Sequence, residues 1–433
     1  MIQPPARYRV AIDIAAAILG SPRFSSALST VIIGVALCSF ALRQTTGNAG
    51  LWAILVSLIV LVSASLTAQW KNIGWRALVP ISLIAFVAWA CLTIFWSQYQ
   101  WASLAGLSQL VIVTVLGIYI ALVRDTIQIV RAFGDVLRFI LVLSITLEIA
   151  TGLIFDTSLK ALQIAGNLGT TDPIQGIFGA RNELGIIAVI ALVTFATELR
   201  TQSLQRGYAI GSLVLASVIL LLSQSPLAFG TALVVLAASA ALYGLRRVPS
   251  GRRRYWQIVL IAFVVAGAII SWASRVAIVA SFDASGDLDY RLGVWRQLWS
   301  LGATHRLEGW GWIGTWRGDL APFTAFGNFG GRVPDSAHNA YFDVFFQLGL
   351  VGFLIFVGLL GLAFMRSWLL ASRRRSVVFA WPALILLVLL VSALAESSLL
   401  IEFGWLAFVV CCVKAARELS WRNALDTTAH ASR

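Results

Sequence analysis

Arg332-Val-Pro-Asp-Ser-Ala-His338-Asn-Ala-Tyr-Phe-Asp-Val-Phe-Phe-Gln-Leu-Gly-Leu-Val-Gly352 joins the one long polar loop of the chain to an apolar run that continues to Phe364. A run of ~20 predominantly apolar residues spans the hydrocarbon core of a bilayer as a helix. Asp335 or Ser336 is a candidate N-cap for that helix, and either one puts His338 in or beside its first turn. On these residues alone His338 reads more readily as a helix-start or interface histidine than as a ring that accepts a proton.

The rest of the chain fixes the class. Of its 433 residues 59% are hydrophobic and 12% charged, with a mean hydropathy of +0.87, the composition of a polytopic, all-α integral membrane protein. Apolar spans are expected near 25–42, 50–68, 77–96, 104–123, 137–155, 182–199, 208–223, 227–245, 255–273, 341–364, 377–395 and 400–415, about twelve in all. The chain then divides into an N-terminal segment 1–24, about nine helices over 25–273, a loop over 274–340, about three helices over 341–415 and a tail 416–433. The N-terminus carries Arg7, Arg9 and Arg23 without a short apolar core and small-residue cleavage site, so it reads as a retained cytoplasmic segment.

Orientation follows from the basic residues, which gather in short cytoplasmic loops. With the N-terminus inside, 23 of the 32 Lys and Arg residues fall on the inner side, among them Arg124/131/138, Arg246/247/252/253/254 and Arg366/373/374/375. The other side holds Arg43, Lys160, Arg181 and the six arginines of 274–338. The formal charge of +13 is thus accounted for by topology and the anionic inner leaflet, and no soluble basic domain for nucleic acid is present. Reporter fusions after residue 310 and at the C-terminus are expected to place 274–338 outside the cytoplasm and both termini inside. A cytoplasmic signal at 310 would reverse every sidedness assignment.

Cys38, Cys91, Cys411 and Cys412 all fall in apolar spans, where thiols behave as small hydrophobes, so no disulfide framework is expected. His305, His338 and His430 have no spacing that suggests a metal ligand set. Glu148 lies inside the fifth span, where a carboxylate is costly and normally faces a partner or a wet cavity. Arg181 and Asn182 open the sixth span. Asn182 is a candidate cap there, and Arg181 reads either as an anion-binding guanidinium or as an interfacial arginine reaching the headgroups.

The loop 274–338 contains Trp295, Trp299, Trp310, Trp312 and Trp316 with Phe282, Phe323, Phe326 and Phe329, more aromatic surface than a disordered linker carries. Leu288, Leu292, Trp295, Leu298 and Trp299 recur at helical spacing, so 288–301 is expected to be an amphipathic helix on the membrane–water boundary. Gly309-Trp-Gly-Trp-Ile-Gly-Thr-Trp316 lacks the Lys-Ser/Thr of a nucleotide loop. Its indoles suit either sugar stacking or plain interfacial anchoring.

Gly176-Ile-Phe-Gly-Ala-Arg181-Asn182, Tyr290-Arg291-Leu-Gly-Val-Trp295, Gly309-Trp-Gly-Trp312, and His338-Asn339 ahead of Gln347-Leu-Gly349-Leu-Val-Gly352 together resemble the bacterial O-antigen ligase and O-antigen or exopolysaccharide polymerase superfamily, most closely its exopolysaccharide polymerases. The resemblance covers roughly the C-terminal 60% of the chain, and Glu396-Ser397 looks like the family's acidic position in the last outer turn. One departure is Pro226, where many members place an Arg after Ser-x-Ser.

The resemblance implies a metal-independent glycosyltransferase without a cofactor, set in the bacterial inner membrane and acting on the periplasmic face. Its donor would be a polyprenyl-diphosphate-linked oligosaccharide, its surroundings the lipid bilayer, and its partners chain-length or export proteins. His338 would serve as base, with Arg291, Arg181, Asn182, Asn339, Trp295 and Trp312 binding substrate. A secondary transporter would lead one to expect paired broken spans in two similar halves, which are not seen. A flippase would be expected to keep charges along a central path.

Overall fold

The computed structural model describes residue 14 and residues 16–70, 79–155, 157–170, 172–274, 285–327, 333–374 and 376–418. Arg7, Arg9, Lys71, Arg76, Arg275, Phe282, Asp283, Phe329, Arg332, Arg375, Arg422, His430 and Arg433 of the sequence reading lie outside them. In chain order the helices are α1 (Pro22–Leu37), α2 (Ser39–Ala68), α3 (Ile81–Leu92), α4 (Gln100–Val123), α5 (Thr126–Ile149), α6 (Arg181–Thr201), α7 (Arg206–Ser223), α8 (Pro226–Arg247), α9 (Ser250–Ala273), α10 (Ser285–Gly302), α11 (Ala340–Arg373), α12 (Ala380–Ser392) and α13 (Glu402–Glu418). A helix lies at each expected apolar span, and α10 is the expected loop helix. Seven of the described helices are long and apolar enough to cross a membrane: α2, α4, α5 with its continuation to Ile154, α6, α7, α8 and α11. The first span ends earlier than expected, at Leu37. After Cys38 a second helix begins, and it is interrupted at Gly47, whose φ is 72°.

The chain forms two compact units. One holds residues up to Pro80, Val111–Ser223 and Glu402 onward; the other holds Ile81–Leu110 and Gln224–Ile401. In the first, α6 packs on α5 and α7, and the buried Arg138 pairs with Glu198 while its guanidinium lies 4.7 Å from the Phe195 ring and 5.0 Å from that of Tyr208. Glu148 has a defined task there. Its Oε1 accepts from the backbone N–H groups of Gln175 (3.1 Å) and Gly176 (2.9 Å), fixing the turn that leads into α6.

In the second unit the loop residues fold around an aromatic core. Tyr99, Val294, Leu298, Ile313, Trp316, Phe323, Phe326 and Phe346 are buried together, with the Trp316 and Phe326 rings 4.6 Å apart. The described part of the loop, 285–327 and 333–338, is therefore a packed element, and two glycine motifs explain how it is seated. Gly349 interrupts α11 with φ 68°, and the groups this break frees find partners as membrane burial requires. Trp310 N donates to Phe346 O, Gly311 N to Gln347 O, and Trp89 Nε1 to Leu348 O. Leu350 N and Val351 N donate to Arg306 O and Leu307 O. A Cβ at Gly349 would stand 2.2 Å from Leu307 O, and one at Gly309 would stand 2.4 Å from Gln347 O.

Gly349→Ala is expected to destabilise the protein by roughly 3 kcal/mol or more, because left-handed strain and a backbone collision coincide. Gly358→Ala, which meets open space, is expected to be neutral or mildly stabilising. Melting of the detergent-purified proteins checks this, and equal midpoints for Gly349→Ala and wild type would remove the interlock as a determinant of the fold.

Candidate functional site

The site residues of the second unit gather at the start of α11, but the cap is not where the sequence suggested. Asn339, rather than Asp335 or Ser336, is the N-cap: its Oδ1 accepts from Tyr341 N (3.0 Å) and Phe342 N (3.1 Å). Its Nδ2 donates to Leu394 O (2.8 Å), and Ala340 N donates to Ala393 O (2.9 Å), so the turn after α12 is docked on the helix start. His338 is left as the residue just before the cap. Its φ is +47°, a left-handed conformation that costs a non-glycine residue about 1–2 kcal/mol and needs its surroundings to hold it.

Those surroundings are specific. The His338 carbonyl accepts from Arg291 (3.0 Å), and the preceding Ala337 carbonyl accepts from Trp295 Nε1 (2.8 Å). The His338 ring, 24% exposed, has Nδ1 3.4 Å from Glu396 Oε2 and Nε2 3.9 Å from Asp335 Oδ1. The Tyr290 ring meets it edge-on with centroids 5.5 Å apart. A carboxylate facing Nδ1 can only accept, so this contact selects the tautomer with hydrogen on Nδ1 and leaves Nε2 able to take a proton. Arg291 also donates to Ala395 O and, at 3.0 Å, to Glu396 Oε1. One guanidinium thus ties the His338 turn to the Glu396 turn.

His338, Asn339, Arg291 and Trp295 are brought together as the sequence expected, though Trp295 supports the turn through its indole N–H and packs edge-on against Phe342. Trp312 is elsewhere. It is 1% exposed, edge-on to Phe86 at 6.2 Å, so a sugar ring has no access to its face in this arrangement. The positive-φ glycines 309, 311 and 314 around it turn the run inward. Arg181 and Asn182 belong to the first unit. There α6 begins at Arg181 with Ala180 at the cap position, so Asn182 is inside the first turn and is not the cap. Ser225 caps α8, accepting from Ala228 N at 3.2 Å, with Pro226 at the first helical position, where a missing N–H is harmless.

Asp343 and Ser397 were not singled out from the sequence as site residues. Asp343 is 1% exposed in the first turn of α11, and Ser397 donates to it. Among the described residues no three of His, Cys, Asp and Glu are grouped as metal ligands, and the four cysteines are free thiols.

A family model described as O-antigen ligase matches residues 211–357, a stretch containing Arg291, Trp295, Trp312, His338 and Asn339 but neither Arg181 nor Glu396. No curated protein matches the chain. Over that stretch the chain is similar to the O-antigen ligase family. The match supports glycosyl transfer in a polysaccharide pathway by a membrane-embedded protein with a lipid-linked polysaccharide substrate.

Proposed function

We propose that the protein polymerises polyprenyl-diphosphate-linked oligosaccharide repeat units into exopolysaccharide or O-antigen on the periplasmic face of the inner membrane. The observation that carries this reading is the Glu396–His338 contact at the head of α11, with Arg291 bridging the two turns. Nε2 of His338 takes the acceptor hydroxyl's proton as its oxygen attacks the anomeric carbon. The bond from that carbon to the diphosphate breaks, and the polyprenyl diphosphate leaves with the electron pair. Direct displacement inverts the carbon. A diphosphate is a good leaving group, so the reaction needs cationic groups for its charge more than a general acid, while Arg291 keeps His338 and Glu396 in register. No step calls for a metal.

Purified protein given a lipid-linked repeat unit is expected to form longer lipid-linked oligosaccharide. Absence of turnover with intact transport of the substrate would replace this reading by a flippase or transporter. The description of the matching family as O-antigen ligase favours a second reading, transfer of finished polymer to lipid A core. Single repeat units accumulating on lipid carrier in a deletion strain fit the polymerase; full-length polymer left on carrier fits the ligase.

A further inference from the structure

Two backbone N–H groups flank His338, and both are tied to one buried carboxylate. Asp343 Oδ2 accepts from Ala337 N at 3.1 Å and from the Ser397 hydroxyl. The Ser397 oxygen in turn accepts from Asn339 N at 3.2 Å. Oδ1 of Asp343 accepts from Trp316 Nε1 and, at 3.2 Å, from Gln347 Nε2. The Gln347 oxygen accepts from Ile313 N (2.9 Å) and Gly314 N (3.1 Å) of the loop. Three separate segments therefore converge on this side chain: the loop at Trp316, the turn before His338 and the turn that carries Glu396.

A carboxylate that is 1% exposed is expensive to bury, and four donors are what make it tolerable. A hydrophobic or amide side chain would serve packing alone. The four donors restrict the choice further. Neither the indole N–H nor the Ala337 N–H can accept, so an amide at 343 points its NH2 at a donor in either orientation. The carboxylate is the one group of this size that satisfies the indole and both flanks of the left-handed residue at once.

We propose that Asp343 is the positioning residue of the site, holding His338 in its left-handed conformation and in register with Glu396 through Ala337 and Ser397. This rests on the reading of His338 as the base. Asp343→Asn, assayed only on the monodisperse folded fraction, is expected to lower kcat about 10²-fold, the cost of a misplacement of about 1 Å, with donor KM changed less than about threefold. The double variant His338→Ala/Asp343→Asn is expected to be no slower than His338→Ala, since Asp343 acts through that ring. A merely structural role would slow it further.

A readout independent of turnover is carbethoxylation of His338 by diethyl pyrocarbonate, followed by mass spectrometry of its peptide. Asp343→Asn is expected to raise that rate about fivefold by letting the turn open. If His338→Ala keeps full turnover, the base reading falls and the modification rate alone decides the positioning role. If Asp343→Asn does not fold, Ser397→Ala, which removes one donor of four, is expected to shift kcat and modification rate in the same directions by a smaller factor. Wild-type kcat together with a wild-type modification rate in whichever variant folds overturns the proposal.

Discussion

His338→Ala is expected to lower turnover about 10²–10⁴-fold, the range lost when a general base is removed, while membrane insertion and binding of lipid diphosphate stay largely intact. His338→Gln is the sharper variant. Its side chain reaches the same neighbours and hydrogen-bonds them, but an amide cannot take a proton at neutral pH. The structure sharpens the contrast, because Glu396 faces Nδ1 at 3.4 Å and a glutamine NH2 can donate to that carboxylate as the ring does. What glutamine cannot reproduce is a basic Nε2. A binding histidine would therefore tolerate Gln and a base would not. Purified wild type, His338→Ala and His338→Gln with a lipid-linked repeat unit decide between them, and an active Gln variant leaves His338 as a binding group.

The helices of this chain were legible because the ~20-residue apolar run is a strong, local signal, and the loop's packing was legible from its tryptophans and phenylalanines. What the sequence misjudged was set by contacts distant in the chain. Asp335, Ser336 and Asn339 are all good caps by type, and Asn339 is selected because the turn at Leu394–Ser397 docks on it. The span 341–364 read as one helix. Its break at Gly349 exists because the backbone of 306–311 supplies partners for the freed groups. Trp312 read as surface, since nothing local shows that the glycines beside it curl the run into the interior.

The orientation of Arg291 was hidden in the same way, as its acceptors lie 47 to 105 residues along the chain. Asp343 carried a signal that went unread. It is the only charged residue between Tyr341 and Phe364, and an acid in a membrane span is by default a candidate for function.

Arg291→Lys is expected to cut turnover about 10²-fold, and Arg296→Lys to change it less than about twofold. Both substitutions keep the charge. Arg296 is exposed and, among the described residues, donates through Nε to Leu292 O of its own helix, a contact of little consequence. Arg291 is 15% exposed, and its two terminal nitrogens reach three acceptors on two chain segments: the carbonyls of His338 and Ala395 and the carboxylate of Glu396. A lysine ammonium is a single point of donation and cannot span them as the planar fork does. The two roles open to Arg291 predict different kinetics. A guanidinium that grips the donor's diphosphate in the ground state raises donor KM when shortened, whereas one that keeps His338 and Glu396 in register lowers kcat with KM little changed. With three of its five N–H donors engaged by these protein acceptors, the second pattern is expected. Steady-state assays of the two variants on folded protein test it: equal activity of Arg291→Lys and wild type removes Arg291 from the site, and a pure rise in KM returns it to the diphosphate.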